Sequence, residues 1–130
     1  MTDLPIQTAT TKRVLIVDDA RIIRSMLKTI FTKLNILVVG EAVNGQEAVQ
    51  IYDELKPDLV TMDITMPGMD GLTAARNILA RHPGAKIIMI TSLGQEIVMR
   101  EAIRLGALDF IVKPFEESRI ISAVQRVLPS

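Results

Sequence analysis

The sequence predicts an α/β protein built as one doubly wound sheet of five parallel strands with five helices. Three observations favour this fold class. Short apolar segments alternate five times with amphipathic segments along the 130 residues, and this alternation produces a parallel sheet with right-handed crossovers. The cores of the strand segments carry no charge, as expected of strands covered by helices on both faces. The length fits one domain, and 48% of the residues are hydrophobic, enough for a packed core.

The strands are predicted from short apolar runs rich in β-branched residues. Each run is followed by a polar residue or a turn, which marks the end of the strand. The first run, RVLIV, is typical of a strand that is buried on both faces. The predicted strands are residues 13–17, 36–39, 59–62, 86–90 and 109–112.

The helices are predicted from apolar residues at i, i+3 and i+4 spacing. Asn44 is a candidate N-cap for the second helix, Pro57 ends that helix, and Gly106 is the predicted C-cap of the fourth. The basic residues of the first helix are expected on its solvent side; they are Arg21, Arg24, Lys28 and Lys33. The predicted helices are about residues 21–34, 45–55, 72–81, 95–105 and 116–128.

Composition excludes several classes of function. Lys plus Arg equals Asp plus Glu at 15 each, so no net charge favours nucleic acid or an anionic membrane. There is no Cys, and the single His82 leaves little room for a histidine metal site or a Ser-His-Asp triad. No apolar run approaches the roughly 20 residues of a membrane span, and the N-terminus lacks the features of a secretory signal. We therefore expect a cytoplasmic protein. A monomer is the default expectation, and residues 1–11 are expected to form a flexible tail.

Polar residues follow four of the predicted strands. They are Asp18 and Asp19, then Asp63, then Thr91 with Ser92, and finally Lys113. Because parallel strands end at the same edge of the sheet, these side chains should meet in one crevice, where open α/β sheets bind ligands.

Three carboxylates in one crevice require cations between them. Two carboxylates about 4 Å apart repel by roughly 4 kcal/mol at an effective dielectric near 20. Lys113 supplies one positive charge, and a divalent ion is the expected second. Ligands that are all oxygen favour Mg²⁺, which is often bound together with phosphate. A carboxylate such as Asp63 can attack phosphorus to form an acyl phosphate, with the cations neutralising the transferring oxygens.

Four motifs in this order carry a family resemblance. They are VLIVDD (14–19), TMDITMPGMDG (61–71), IMITS (88–92) and DFIVKPF (109–115). Over about residues 12–128 the chain resembles response-regulator receiver domains, most closely the stand-alone chemotaxis regulators of the CheY type. The resemblance implies a flavodoxin-like sheet with strand order 2-1-3-4-5 and a receiver domain over residues 12–130.

The resemblance also implies a role for each site residue. Asp63 would be the phosphoacceptor, and Lys113 would contact the phosphate. Asp19 would bind Mg²⁺ directly and Asp18 would help to hold it, with the backbone carbonyl of Thr65 as a third protein ligand.

Two further residues resemble the switch positions of the family. Thr91 would move to bond the phosphoryl oxygen, and Phe110 would turn inward as it does so. The family often has Tyr at the position of Phe110, so the packing role carries over but a hydroxyl contact does not. The Lys113–Pro114 bond is expected to be cis by analogy.

The function implied is two-component phosphorelay signalling by a phosphoprotein rather than by a classical enzyme. The expected chemistry is self-catalysed phosphoryl transfer and autodephosphorylation only. The partners implied are a histidine kinase of the CheA type, a phosphatase, and a flagellar motor switch protein or another target. The target would bind the face formed by the fourth helix, fifth strand and fifth helix, at about residues 95–106 and 109–128.

Other functions remain open from the residues alone. The chain could serve a phosphorelay or act in trans on a target outside chemotaxis. It could also be a phosphorylation-independent adaptor, although the complete polar set argues against that function. An aspartate-phosphate hydrolase of the haloacid-dehalogenase type usually has a second Asp two residues after the nucleophile, where this chain has Thr65. A nucleotide or flavin binder would need a glycine-rich phosphate loop that the sequence lacks.

Overall fold

Five parallel strands form one sheet in the order β2-β1-β3-β4-β5, as predicted. The computed structural model describes residues 10–129. The first nine residues of the predicted tail lie outside the described residues, and Thr10, Thr11 and Lys12 are exposed. No helix in the described part of the chain has both the length and the apolar character to cross a membrane.

Strands and helices alternate strictly along the chain. The strands are β1 Arg13–Val17, β2 Leu37–Ala42, β3 Leu59–Met62, β4 Ile87–Thr91 and β5 Asp109–Val112. The helices are α1 Arg21–Lys33, α2 Gly45–Leu55, α3 Gly71–Arg81, α4 Glu96–Leu105 and α5 Glu117–Val127.

The helices cover both faces of the sheet, and each face has its own hydrophobic core. Successive residues of a strand point to opposite faces, so Leu15 and Val17 of β1 pack on one side and Val14 and Ile16 on the other. The first core includes buried residues of α2, α3 and α4. The second includes buried residues of α1 and α5.

The predicted helix ends are confirmed by their local geometry. The Asn44 side chain accepts a hydrogen bond from the Glu47 N–H at 2.8 Å, as an N-cap does. Helix α2 ends at Leu55, where Lys56 adopts a left-handed conformation before Pro57. Gly106 follows α4 with a φ of 122°, a conformation that side chains rarely adopt.

Strand β2 was predicted too short. It ends at Ala42 rather than Val39 and includes Gly40 and Glu41, which broke the apolar run in the sequence. A strand at the sheet edge is solvated along one side and tolerates such residues. The register between β1 and β2 shifts between Val14 and Leu15.

Candidate functional site

The polar residues predicted to meet do lie at one edge of the sheet. The register pairs Val17 with Met62 across β1 and β3, Met62 with Met89 across β3 and β4, and Thr91 with Val112 across β4 and β5. The residues that follow these strands are therefore brought side by side.

Asp63 occupies the centre of this edge, and its side chain is buried. Its N–H donates to the Val17 carbonyl at 2.9 Å, which extends the pairing of β3 with β1 by one residue. Its Oδ1 accepts the Ile64 N–H at 2.7 Å, and its Oδ2 accepts a hydrogen bond from Lys113 Nζ at 3.2 Å. The residue is only 5% exposed. The two hydrogen bonds, one from the main chain and one from Lys113, hold its carboxylate in place.

A close main-chain approach supports the loop after Asp63. The Gly71 N–H donates to the Ile64 carbonyl at 2.8 Å. A Cβ added at Gly71 would lie 1.9 Å from the Asp63 carbonyl oxygen, a distance that no side chain can occupy. Glycine at the start of α3 is therefore required by the space next to Asp63.

Asp18 is the second buried carboxylate of the site. Its Oδ2 accepts a hydrogen bond from Lys113 Nζ at 2.6 Å, and its Oδ1 accepts the Ala20 N–H at 2.8 Å. Burial raises the pKa of the Asp18 carboxyl, and it outweighs the hydrogen bonds from Lys113 and Ala20, which lower the pKa. The ammonium of Lys113 thus bridges the two buried acids.

Asp19 completes a cluster of three carboxylates. One oxygen from each of Asp18, Asp19 and Asp63 lies within 4.8 Å of the others. Asp18 and Asp63 are buried, whereas Asp19 is exposed and faces solvent. Three negative charges against one ammonium leave an excess of negative charge in a partly buried crevice. A hard divalent cation with oxygen ligands fits this donor set, and Mg²⁺ commonly uses such carboxylates while keeping several waters.

The remaining predicted residues occupy different surroundings. Thr91 ends β4, is fully buried, and accepts the Leu93 N–H at 3.2 Å with its hydroxyl. Phe110 is 7% exposed and packs in the first core. Thr65 is exposed in the loop two residues after Asp63. The Lys113–Pro114 bond is cis, as expected.

The partners of two charged groups cannot be identified from the sequence: Arg24 lies near this edge, and Asp109 lies at the opposite end of β5. Arg24 was expected to face solvent, but its side chain is 15% exposed and donates to the Asp18 carbonyl at 2.9 Å. Asp109 accepts hydrogen bonds from Arg119 and also pairs with Arg126. No local signal identifies these partners, because each contact joins different elements of the fold.

Comparisons with known proteins agree with this geometry. Residues 14–125 match the response regulator receiver domain family. The chain is 57% identical over 116 residues to the chemotaxis protein CheY of Thermotoga maritima, covering 89% of this chain and 97% of that protein. It is 52% identical over 114 residues to the CheY of Listeria monocytogenes, covering 88% of this chain and 96% of that protein.

A solved structure is similar over almost the whole chain. It is a chain of the CheX-CheY-BeF3-Mg²⁺ complex from Borrelia burgdorferi, with a TM-score of 0.91 and 36% identity. The match covers 98% of this chain and 96% of that chain.

Proposed function

The chain belongs to the response regulator receiver family, and from this premise we propose that it is phosphorylated on Asp63 by a histidine kinase. The observation that carries the proposal is the position of the Asp63 carboxylate. It is buried at the centre of the sheet edge, in contact with the Lys113 ammonium and next to two further acids. Phosphoryl transfer needs a nucleophile, positive charge near the transferring group and ligands for a cation. This crevice brings all three together.

In the proposed reaction, an Asp63 carboxylate oxygen attacks the phosphorus of the donor. A new oxygen–phosphorus bond forms, and the bond from phosphorus to the donor atom breaks, with its electron pair leaving on the donor. Lys113 Nζ, which lies 3.2 Å from Asp63 Oδ2, would turn to a phosphoryl oxygen. Hydrolysis of the acyl phosphate by water restores the carboxylate, so the chain acts as a signalling domain that turns over its own phosphoryl group.

The acidic cluster would hold Mg²⁺ through Asp18, Asp19, Asp63 and the Thr65 carbonyl. When bound, Mg²⁺ supplies positive charge that stabilises the oxygens of the transferring phosphoryl group. The chain's own contribution is the arrangement of the acids. Asp18 and Asp63 are fixed by main-chain N–H groups and by Lys113, whereas the exposed Asp19 keeps one side of the site open to solvent.

Thr91 and Phe110 would convert phosphorylation into a change of affinity. A phosphoryl group adds about two negative charges and strong acceptor oxygens. The Thr91 hydroxyl accepts a hydrogen bond from Leu93 in the present structure and could instead donate to a phosphoryl oxygen. This contact exists only in the phosphorylated arrangement, and such a difference is what shifts a population of conformations.

The target would bind on the face formed by α4, β5 and α5. Large apolar side chains are exposed there; they are Ile97 at 77%, Ile103 at 48%, Leu108 at 48% and Val112 at 45%. Apolar surface of this kind is typical of a protein-binding site. Because the similar relatives are chemotaxis proteins, we propose the flagellar motor switch as the target, with a CheA-type kinase as donor. The Borrelia CheY was solved with CheX, and we propose that a partner of that kind also binds this chain.

The test is the intact mass of the protein after incubation with acetyl phosphate, with and without Mg²⁺. The wild type should gain one phosphoryl group only when Mg²⁺ is present, and Asp63→Asn should gain none. The control is Asp58→Asn, which changes the Asp at the other end of β3 and should leave phosphorylation intact. A short-lived adduct would escape detection, so beryllofluoride should be added and amide spectral shifts measured at Thr91 and Phe110. No adduct together with no spectral shift would refute the proposal in favour of a phosphorylation-independent adaptor.

A further inference from the structure

Arg24 connects the acidic loop after β1 to the end of β2. The arginine lies on the first turn of α1, and two of its nitrogens have different partners. Its Nη1 donates to the Asp18 carbonyl at 2.9 Å, and its Nε donates to Glu41 Oε1 at 2.8 Å. With 15% of the side chain exposed, the guanidinium is held between three elements of the fold.

These contacts complete the attachment of the Asp18 main chain to β2. The Asp18 N–H donates to the Ala42 carbonyl at 3.0 Å. Its carbonyl accepts from Arg24, which is itself anchored on Glu41, the residue before Ala42. Both sides of the Asp18 main chain are therefore tied to the same end of β2. The peptide that contains the Asp18 carbonyl also contains the N–H of Asp19, so its orientation constrains the main chain from which both carboxylates extend.

We propose that Arg24 is a positioning residue that fixes Asp18 and Asp19 in the arrangement that binds a divalent cation. The inference rests on the proposed function, because it assumes that the acidic cluster holds Mg²⁺. Groups that orient metal ligands without touching the metal commonly change its affinity about 10- to 100-fold when they are removed. The planar fork of arginine can donate in two directions at once, whereas the single ammonium of lysine lacks that fixed geometry.

The sign of the effect separates positioning from simple electrostatics. Arg24 carries a positive charge close to a site for a cation. If its charge alone mattered, removing it would reduce repulsion and strengthen Mg²⁺ binding. If its hydrogen bond to Asp18 matters more, removing it weakens Mg²⁺ binding.

Lys28 provides a matched control one turn further along α1. Its Nζ binds the other oxygen of the same glutamate, Glu41 Oε2, at 2.9 Å. Within residues 10–129, Lys28 forms no hydrogen bond to Asp18. Lys28→Gln therefore removes one positive charge and one contact to Glu41 while leaving the attachment of Asp18 in place.

The experiment compares the full chain as wild type, Arg24→Gln, Arg24→Lys and Lys28→Gln. Mg²⁺ affinity is measured by calorimetric titration, and amide exchange of Ala20 is measured in the metal-free protein. The Ala20 N–H donates to Asp18 Oδ1, so its exchange reports the order of the loop directly. We expect about tenfold weaker Mg²⁺ binding and faster Ala20 exchange in Arg24→Gln. Arg24→Lys should show a smaller loss, and Lys28→Gln should bind Mg²⁺ as well as or slightly better than the wild type.

The two readouts together decide the role of Arg24. Weaker binding and faster Ala20 exchange, both confined to the Arg24 variants, support the proposal. Unchanged or tighter Mg²⁺ binding in Arg24→Gln, matching Lys28→Gln, overturns it. If the wild type binds no Mg²⁺, the proposed function fails, and unchanged Ala20 exchange would then overturn the positioning role separately. If Arg24→Gln does not fold, Arg24→Lys decides the question: because it keeps the charge, weaker Mg²⁺ binding supports the positioning role and unchanged Mg²⁺ binding overturns it.

Discussion

The crowding of the three carboxylates predicts that Asp63→Asn stabilises the metal-free protein. Asp63 Oδ2 lies 3.2 Å from Lys113 Nζ, an attraction of about 5 kcal/mol at an effective dielectric near 20. Its carboxylate also lies within 4.8 Å of those of Asp18 and Asp19, and each repulsion at that distance is about 3.5 kcal/mol at the same effective dielectric. Because Asp19 is exposed, solvent weakens its repulsion of Asp63. The attraction to Lys113 and the repulsion from the two acids therefore nearly cancel.

The cost of burial then decides the sign. A buried carboxylate loses hydration worth several kcal/mol, and a neutral amide of the same shape avoids most of that penalty. The hydrogen bond from the Ile64 N–H, which Asp63 Oδ1 accepts in the wild type, can be kept by the amide oxygen of the substituted side chain. Lys113 stays neutralised by Asp18 at 2.6 Å. We expect the free energy of unfolding of Asp63→Asn to exceed that of the wild type by about 2 kcal/mol without metal.

The assay is urea unfolding in the presence of a chelator, with Asp109→Asn as the comparison. Asp109 lies between Arg119 and Arg126, so the same chemical change there should destabilise the protein. Adding Mg²⁺ should reverse the order of wild type and Asp63→Asn. The wild type gains about 2.7 kcal/mol at 100 times its dissociation constant, and the variant gains less. If Asp63→Asn is the less stable protein in chelator, repulsion and burial do not dominate this site and the reasoning is wrong.

Three further predictions concern single residues. Burial raises the pKa of the Asp109 carboxyl, but the hydrogen bonds and charges of its arginine partners bring the net pKa below the usual 3.8. Its stabilisation is therefore present above about pH 3.8 and is lost as pH falls through the lower folded pKa, so Asp109→Asn should flatten the unfolding free energy against pH in acid. Gly71→Ala places a methyl group against the Asp63 carbonyl and should cost about 3 kcal/mol or more in urea unfolding, whereas Gly84→Ala, with open space around it, should cost little. The Thr61 hydroxyl is buried and has no hydrogen-bond partner among the described residues, so Thr61→Val should raise the free energy of unfolding by about 1 kcal/mol. A lower free energy of unfolding would show that the hydroxyl stabilises the fold.

The order of elements and the contents of the site could be predicted because both follow from short-range patterns. Apolar runs mark the strands, and parallel topology places their carboxyl ends together without knowledge of packing. The length of β2 could not be predicted from the apolar pattern. Gly40 and Glu41 are compatible with a strand only because one edge of β2 is open to solvent and Glu41 pairs with α1. A periodicity in sequence carries no information about such cross-element partners.

The position of Arg24 shows the same limit at the level of one side chain. A helical wheel gives it the same solvent-facing class as Lys28, and the two residues differ by one turn. In the folded chain, the first turn of α1 lies beside the Asp18 loop, so Arg24 donates to a main-chain acceptor, whereas the Lys28 ammonium binds the Glu41 carboxylate. The path of the loop after β1 places Arg24 next to Asp18. The pattern of apolar residues in the sequence does not determine that path.

Strand alternation places the polar residues of the site on both faces of the sheet. Asp63 and Lys113 continue the side of β3 and β5 that packs on α1 and α5, as Leu59 and Ile111 do. Thr91 follows Met89 on the opposite side of β4, and Met89 is paired with Phe110 in the first core. Phe110 packs in the core that also contains Ala102 of α4, the helix that exposes Ile97. Thr91 pairs with Val112 across β4 and β5, and Lys113 directly follows Val112, so two polar residues of the site adjoin an exposed apolar side chain of β5.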